Sequence, residues 1–154
     1  MSLEAGKPAP EFTATTDGGG SVTLSALRGR NVILYFYPKD DTPGCTREAC
    51  AFQEAEADFK GADAVVLGVS KDSAASHDKF KQKYGLGFPL ISDSDGKICE
   101  AFGVWVEKSN YGKTYMGIER STFLIDKQGV LRKIWRKVKV DGHAAKVLEA
   151  LKAL

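Results

Sequence analysis

Two stretches of this chain are apolar at almost every position: Asn31-Val32-Ile33-Leu34-Tyr35-Phe36-Tyr37 and Ala64-Val65-Val66-Leu67-Gly68-Val69. Such runs predict strands covered on both faces. Glu11 to Thr16 and Ser21 to Leu24 read as two further strands, with Asp17-Gly18-Gly19-Gly20 as the turn of an N-terminal hairpin. A helix is expected from Pro43 to Phe59, and a second from Ser73 to Tyr84, stopped by Gly85. Phe88-Pro89-Leu90-Ile91 is a short strand whose Pro89, lacking an amide hydrogen, belongs at an edge or at the strand's start. Asp95 to Phe102 reads as a helix closed by Gly103, and Val106 to Glu119 as a loop containing glycine and tyrosine. Ser121 to Ile125 and Val130 to Trp135 are strands joined by the tight-turn sequence Asp126-Lys127-Gln128-Gly129. Val147, Leu148, Leu151 and Leu154 form one stripe of a closing helix.

A helix between the two buried strands makes a strand–helix–strand unit, which implies parallel pairing. An antiparallel strand pair and a final helix follow. This order is the plan of a thioredoxin-like α/β sandwich: a central mixed β-sheet flanked by helices, with the N-terminal hairpin as an extension. With 154 residues and 43% hydrophobic content, one domain spanning 1–154 around one core is expected. Met1-Ser2-Leu3 reads as an expression scar and is set aside.

Charge adds little: 22 basic residues against 20 acidic leave a net +2, which gives no support for a nucleic-acid partner. The one basic run, Arg132 to Lys139, reads as a solvated strand face. No leader pattern opens the chain and no apolar run is long enough to cross a bilayer, so a soluble, cytoplasmic location is expected. The absence of an obvious apolar helix face left over points to a monomer.

The cysteines change the picture. There are three, Cys45, Cys50 and Cys99, an odd number unsuited to a secreted disulfide framework. No Cys-x-x-Cys occurs, and His77 and His143 lack ligand spacing, so no metal site is expected. Cys45 falls in the first turn of the helix that Thr42 would cap and Pro43 would open. Unpaired N–H groups and the positive end of the helix dipole there favour a thiolate, the reactive form of cysteine. Cys45 could instead be a small apolar residue packed under the strand; Pro38, Thr42 and Gly44 around it favour the reactive reading. Ala49, Phe52 and Phe59 lie within about 40° of it on the helical wheel, so the sulfur faces the body of the domain.

Cys50 lies about 140° away on the same wheel and is either a packed cysteine or a partner for Cys45. Five helical residues separate their Cα atoms by roughly 8.6 Å, whereas a disulfide needs about 7 Å or less. If both sulfurs act, the first turns of this helix must unwind in every cycle. Arg120, at the start of a strand, is either a solvated charge or a guanidinium that reaches Cys45 and holds it anionic. Cys99 reads as a buried structural residue, Glu48 as helix-surface charge, and neither His77 nor His143 has a partner suggesting acid–base work.

Pro38-x-x-x-Thr42-x-x-Cys45 resembles the signature of the peroxiredoxins. Cys45-Thr46-Arg47-Glu48-Ala49-Cys50 resembles the version found in their bacterioferritin comigratory protein branch. The likeness runs in order from Lys7-Pro8-Ala9-Pro10-Glu11-Phe12, through Gly68-Val69-Ser70 and Phe88-Pro89-Leu90, to the segment from Tyr111 to Asp126. It implies a thiol peroxidase acting on hydrogen peroxide and organic hydroperoxides, with no metal, haem or flavin cofactor. It further implies that Cys45 is the peroxidatic nucleophile and Cys50 the resolving cysteine. Thr42 and Arg120 would position thiolate and peroxide, Pro38 would shield the pocket, and thioredoxin or a similar dithiol protein would be the reductant. Two other readings compete. A thioredoxin-like disulfide reductase would carry Cys-x-x-Cys where this chain has Thr42-x-x-Cys45, and a redox sensor would use the same two sulfurs without turnover.

Overall fold

A computed structural model describes residues 3–154. Its scaffold is a seven-stranded sheet built from β1 (Thr13–Thr16), β2 (Ser21–Thr23), β3 (Asn31–Phe36), β4 (Ala64–Ser70), β5 (Leu90–Ser92), β8 (Ser121–Ile125) and β9 (Leu131–Trp135), in the order β2-β1-β5-β4-β3-β8-β9. The parallel pairs are β3 with β4 and β4 with β5; β8 runs antiparallel to β3, and β9 to β8. This is the thioredoxin-like sandwich, with the N-terminal hairpin attached through an antiparallel β1–β5 pairing.

Strand β3 shows why its residues after Asn31 are all apolar. Ile33 and Tyr35, with Tyr37 just past the strand, point into one buried layer, where they meet α1 (Pro43–Glu54), α2 (Glu56–Gly61), α3 (Ala74–Tyr84) and α5 (His143–Lys152). Val32, Leu34 and Phe36 alternate into the other, against α4 (Lys97–Ala101), Phe12, Phe102 and Phe123. Burying side chains of this size contributes roughly 1.5–3 kcal/mol each, so β3 anchors both layers.

The fold departs from the sequence reading in four places. The helix expected from Pro43 to Phe59 is divided at Ala55, whose φ of −93° and ψ of 3° end the α1 ladder. Asp95 to Phe102 is helical only over α4: Asp95 Oδ1 accepts from Lys97 N at 3.1 Å and the Asp93 carboxylate from Ile98 N and Cys99 N at 3.1 and 2.8 Å, so both aspartates take up the first free amides from outside the helix. Leu154 lies past the end of α5 and is exposed, outside the buried stripe. The segment expected as a loop from Val106 to Glu119 is an antiparallel pair, β6 (Trp105–Asn110) with β7 (Lys113–Ile118). Tyr111 and Gly112 turn it with φ of 52° and 76°, the double left-handed geometry of a two-residue hairpin. Pro89 precedes β5, and its carbonyl accepts from Gly68 N at 3.2 Å.

Candidate active site

Strand β3 ends at the C-terminal edge of the parallel strands, where a loop of six residues, 37–42, leads into α1. Pro38 and Lys39 are exposed there, Asp40 is buried, and Asp41 takes a left-handed φ of 58°. Thr42 is extended and starts α1, with Pro43 in its first turn. The Thr42 hydroxyl does not cap the helix as its position suggests: it donates to the Lys39 carbonyl at 2.9 Å and so ties the loop to itself. The lone pairs of that oxygen remain free to accept.

Cys45 sits one step inside the helix, 2% exposed, in the layer with Ala49, Phe52 and Phe59. Arg120, between β7 and β8, reaches it from across the sheet: Nη2 donates to Cys45 Sγ at 3.3 Å. Its other arm, Nη1, donates to Glu48 Oε1 at 2.7 Å. Gly44 makes room for this guanidinium, since a Cβ there would lie 3.3 Å from Arg120 Nη2. Burial pulls the Arg120 guanidinium down, but the charges of Glu48 and Cys45 leave it raised, so it stays cationic.

Glu48 corrects the sequence reading. It is 1% exposed rather than a surface charge, and its Oε2 is buried without a hydrogen-bond partner. Burial pushes its carboxyl up to about 7 against the opposing pull of Arg120. Sequence position alone suggested nothing of this, because the partner comes from 72 residues away.

Cys50 is half-buried on another side of α1 and is a free thiol, as are Cys45 and Cys99. Burial, then the charge of Glu54, raises the Cys50 thiol. Cys99 is fully buried in the opposite layer, its thiol held up by burial and by Asp93. The structure thus groups Cys45, Thr42 and Arg120 at one helix start and leaves Cys99 apart from them. Among the described residues, no cluster of three or more His, Cys, Asp or Glu side chains has metal-site geometry, and no helix is long and apolar enough to cross a membrane.

Both histidines have partners that the sequence did not indicate. His77 is fully buried between Asp40 Oδ2 at 2.7 Å and the Ile91 carbonyl at 2.9 Å. The spacing of His77, Phe80 and Tyr84 along one helix face was the available signal. His143 Nε2 meets Thr122 Oγ1 at 2.7 Å, with its ring edge-on to Phe52 and Trp135. Burial, then Lys146 and Arg120, pull it down to about 4, so it is neutral.

A thioredoxin-like sheet that seats a buried cysteine beneath an arginine at a helix start is the arrangement of a peroxiredoxin. Residues 5–134 match the AhpC/TSA family, and the chain belongs to it. Within that family its likeness is to one branch. It is 54% identical to the peroxiredoxin Bcp of Bacillus subtilis over 152 residues, which is 99% of this chain and 97% of that one. A cysteine-to-serine mutant of Xylella fastidiosa PrxQ superposes with a TM-score of 0.95 at 43% identity, covering 99% of this chain and 98% of that chain. A bacterioferritin comigratory protein of Xanthomonas campestris, studied as a trapped intermediate and ligand complex for its alkyl peroxide reduction activity, superposes at 0.92 with 48% identity, covering 97% and 98%.

Proposed function

We propose that this peroxiredoxin reduces hydrogen peroxide and organic hydroperoxides through Cys45, forms a Cys45–Cys50 disulfide within one chain, and is recycled by thioredoxin or a similar dithiol protein. The observation that carries this reading is the 3.3 Å contact between Arg120 Nη2 and Cys45 Sγ at the start of α1. A guanidinium and free helix amides stabilise negative charge on the sulfur before reaction and on the peroxide oxygens during it. Arg120 also offers planar donors to a substrate oxygen. Thr42 Oγ1 adds an acceptor for a peroxide proton, and Pro38 shields the rim of the pocket.

The Cys45 thiolate attacks the distal oxygen, a sulfur–oxygen bond forms, and the O–O bond breaks. Its electron pair leaves on the proximal oxygen, which takes a proton and departs as water or alcohol. Cys45 is then a sulfenic acid. The Cys50 thiolate attacks that sulfur, hydroxide leaves and is protonated to water, and the disulfide forms. Both cysteines lie within the twelve residues of α1, where helical geometry keeps their Cα atoms roughly 8.6 Å apart. Closure therefore requires the first turns to unwind, since a disulfide spans about 7 Å or less. The external dithiol returns two electrons by thiol–disulfide exchange. In this reading the protein is one domain, works as a monomer and resides in the cytoplasm.

The test is peroxide consumption coupled to NADPH oxidation through thioredoxin and thioredoxin reductase, with mass mapping of the peroxide-treated protein. Sustained turnover and a peptide joined through Cys45 and Cys50 are expected. A single stoichiometric oxidation without turnover would make the protein a sensor, and an inert Cys45 would end the proposal.

A further inference from the structure

Asp40 has no part in the chemistry above, yet it is the most heavily bonded residue of the loop that precedes Cys45. It is 8% exposed. Its Oδ1 accepts from the Tyr37 hydroxyl, and its Oδ2 from Ser76 Oγ at 2.7 Å while facing His77 Nδ1 at 2.7 Å. Its backbone N–H donates to Asp72 Oδ2 at 2.8 Å, and Ser70 Oγ donates to that same oxygen at 2.7 Å. The next residue, Asp41, holds a left-handed backbone and accepts from Tyr84 Oη and from Lys83 Nζ at 2.8 Å. Two consecutive loop residues are therefore tied to α3, one at its first turn and one at its last.

The protons can be counted. The Ile91 carbonyl can only accept, so the His77 Nε2 that faces it carries a hydrogen. The contact between Nδ1 and Oδ2 then holds one proton, whichever partner is drawn as owning it. Without that proton, two lone pairs face each other at 2.7 Å inside the protein. Such an arrangement is costly where water cannot intervene.

We propose that Asp40 and His77 form a proton-locked latch that positions the Pro38–Thr42 loop for the peroxide step, anchoring it to α3 rather than to the helix that unwinds. This rests on the function proposed above and adds to it two positioning residues. Thr42 lies two residues beyond the latch, so releasing Asp40 displaces an oxygen that faces the substrate. Misplacement by about 1 Å at such a position costs up to about a hundredfold in rate. The later closure of Cys45 onto Cys50 joins two residues of α1 and involves neither this loop nor α3.

The latch has a pH window. The titratable groups facing the His77 ring are Tyr37 and Asp40 from the loop after β3 and Asp72 from the turn after β4; β5 contributes the Ile91 carbonyl. Burial pulls His77 down, but the Asp40 hydrogen bond and charge, the Ile91 carbonyl and Asp72 together raise it above 6.5. The stabilisation is thus complete below pH 6.5 and is lost as pH rises through the higher, folded-state value.

The experiment follows the rate of Cys45 oxidation by hydrogen peroxide from about pH 6 to about pH 10. The rate of Cys45–Cys50 closure is recorded in the same runs, and the His77 ring is titrated by NMR in the wild-type protein. The wild-type peroxide step should fall about tenfold on the alkaline side, with the midpoint of the His77 titration. Asp40→Asn can donate from its amide to a neutral Nδ1 and needs no shared proton, so the alkaline fall should disappear. Asp40→Ala should slow the peroxide step about tenfold at every pH and leave closure within about twofold. If Asp40→Ala does not fold, wild type against Asp40→Asn, together with the NMR midpoint, decides. Equal alkaline profiles for wild type and Asp40→Asn, a midpoint unrelated to His77, or closure slowed as much as peroxide attack would overturn the latch alone. A wild-type protein inert to peroxide at neutral pH would overturn both the latch and the peroxidase reading.

Discussion

Glu48 grips Arg120 at 2.7 Å from inside the protein, one helical turn beyond the sulfur that the same guanidinium touches. The carboxylate orients the cation, and its second oxygen goes without a partner. Its folded value of about 7 lies above the 4.5 of an unfolded chain, so it binds a proton more tightly when folded. Its contribution to stability is full below pH 4.5 and is lost as pH rises through about 7. Glu48→Gln should remove that slope, worth on the order of 3 kcal/mol. Denaturant melts of both proteins across this range check it, and parallel pH profiles would refute it.

Arg120→Met should slow the peroxide step by roughly a hundredfold to a thousandfold, since it removes the charged donors aimed at the reacting oxygens. It should also cost on the order of 2 kcal/mol of stability by stranding Glu48. Adding Glu48→Gln should recover the stability and not the rate. Arg120→Lys should fall between, because a point charge cannot serve sulfur and carboxylate together. Rapid-reaction kinetics and melts on these three variants and the wild type test the separation.

Cys45→Ser should abolish peroxide consumption outright. Cys50→Ser should consume about one equivalent and stop at a sulfenate that dimedone labels. If Cys50→Ser still cycles with thioredoxin, the resolving role moves to Cys99 or to another chain. Intact-mass spectrometry after one addition of peroxide distinguishes these cases.

Amide hydrogen exchange should report the unwinding of α1. Residues 43–51 are expected to be protected in the dithiol form and to exchange far faster in the disulfide form, while β3 and β4 hold their protection in both. Equal protection of that segment in the two forms would contradict a Cys45–Cys50 bond.

His143 gives a slope opposite to that of Glu48. Its folded value of about 4 lies below the 6.5 of an unfolded chain, so its contribution is present above pH 6.5 and is lost as pH falls towards 4. His143→Gln should flatten this acid-side loss, on the order of 3 kcal/mol at full extent, in melts between those pH values.

The elements most legible in the sequence were those with a local reason to exist. Strands β3, β4 and β8 are apolar at nearly every position because both faces are covered, and the α1 start is marked by Pro43 in its first turn, although the Thr42 hydroxyl before it ties the loop instead of capping the helix. The β6–β7 hairpin was missed because its outer face meets solvent: Tyr111, Tyr115 and Met116 are exposed, so no buried alternation marks it. Its one local signal was Tyr111-Gly112, the pair that turns it. Glu48 and His77 were misjudged for a different reason. Each is buried by a partner far away in the chain, and a charged residue on a helix looks the same from sequence whether an arginine will cover it or water will.

The interruption at Ala55 sets a limit on how far one catalytic event can travel. A disturbance entering at Pro43 meets the end of its helix after twelve residues, while Phe59, on the far side of the break, keeps its seat beneath the sheet. Oxidised and reduced molecules should therefore share one melting core and differ only in a detachable segment.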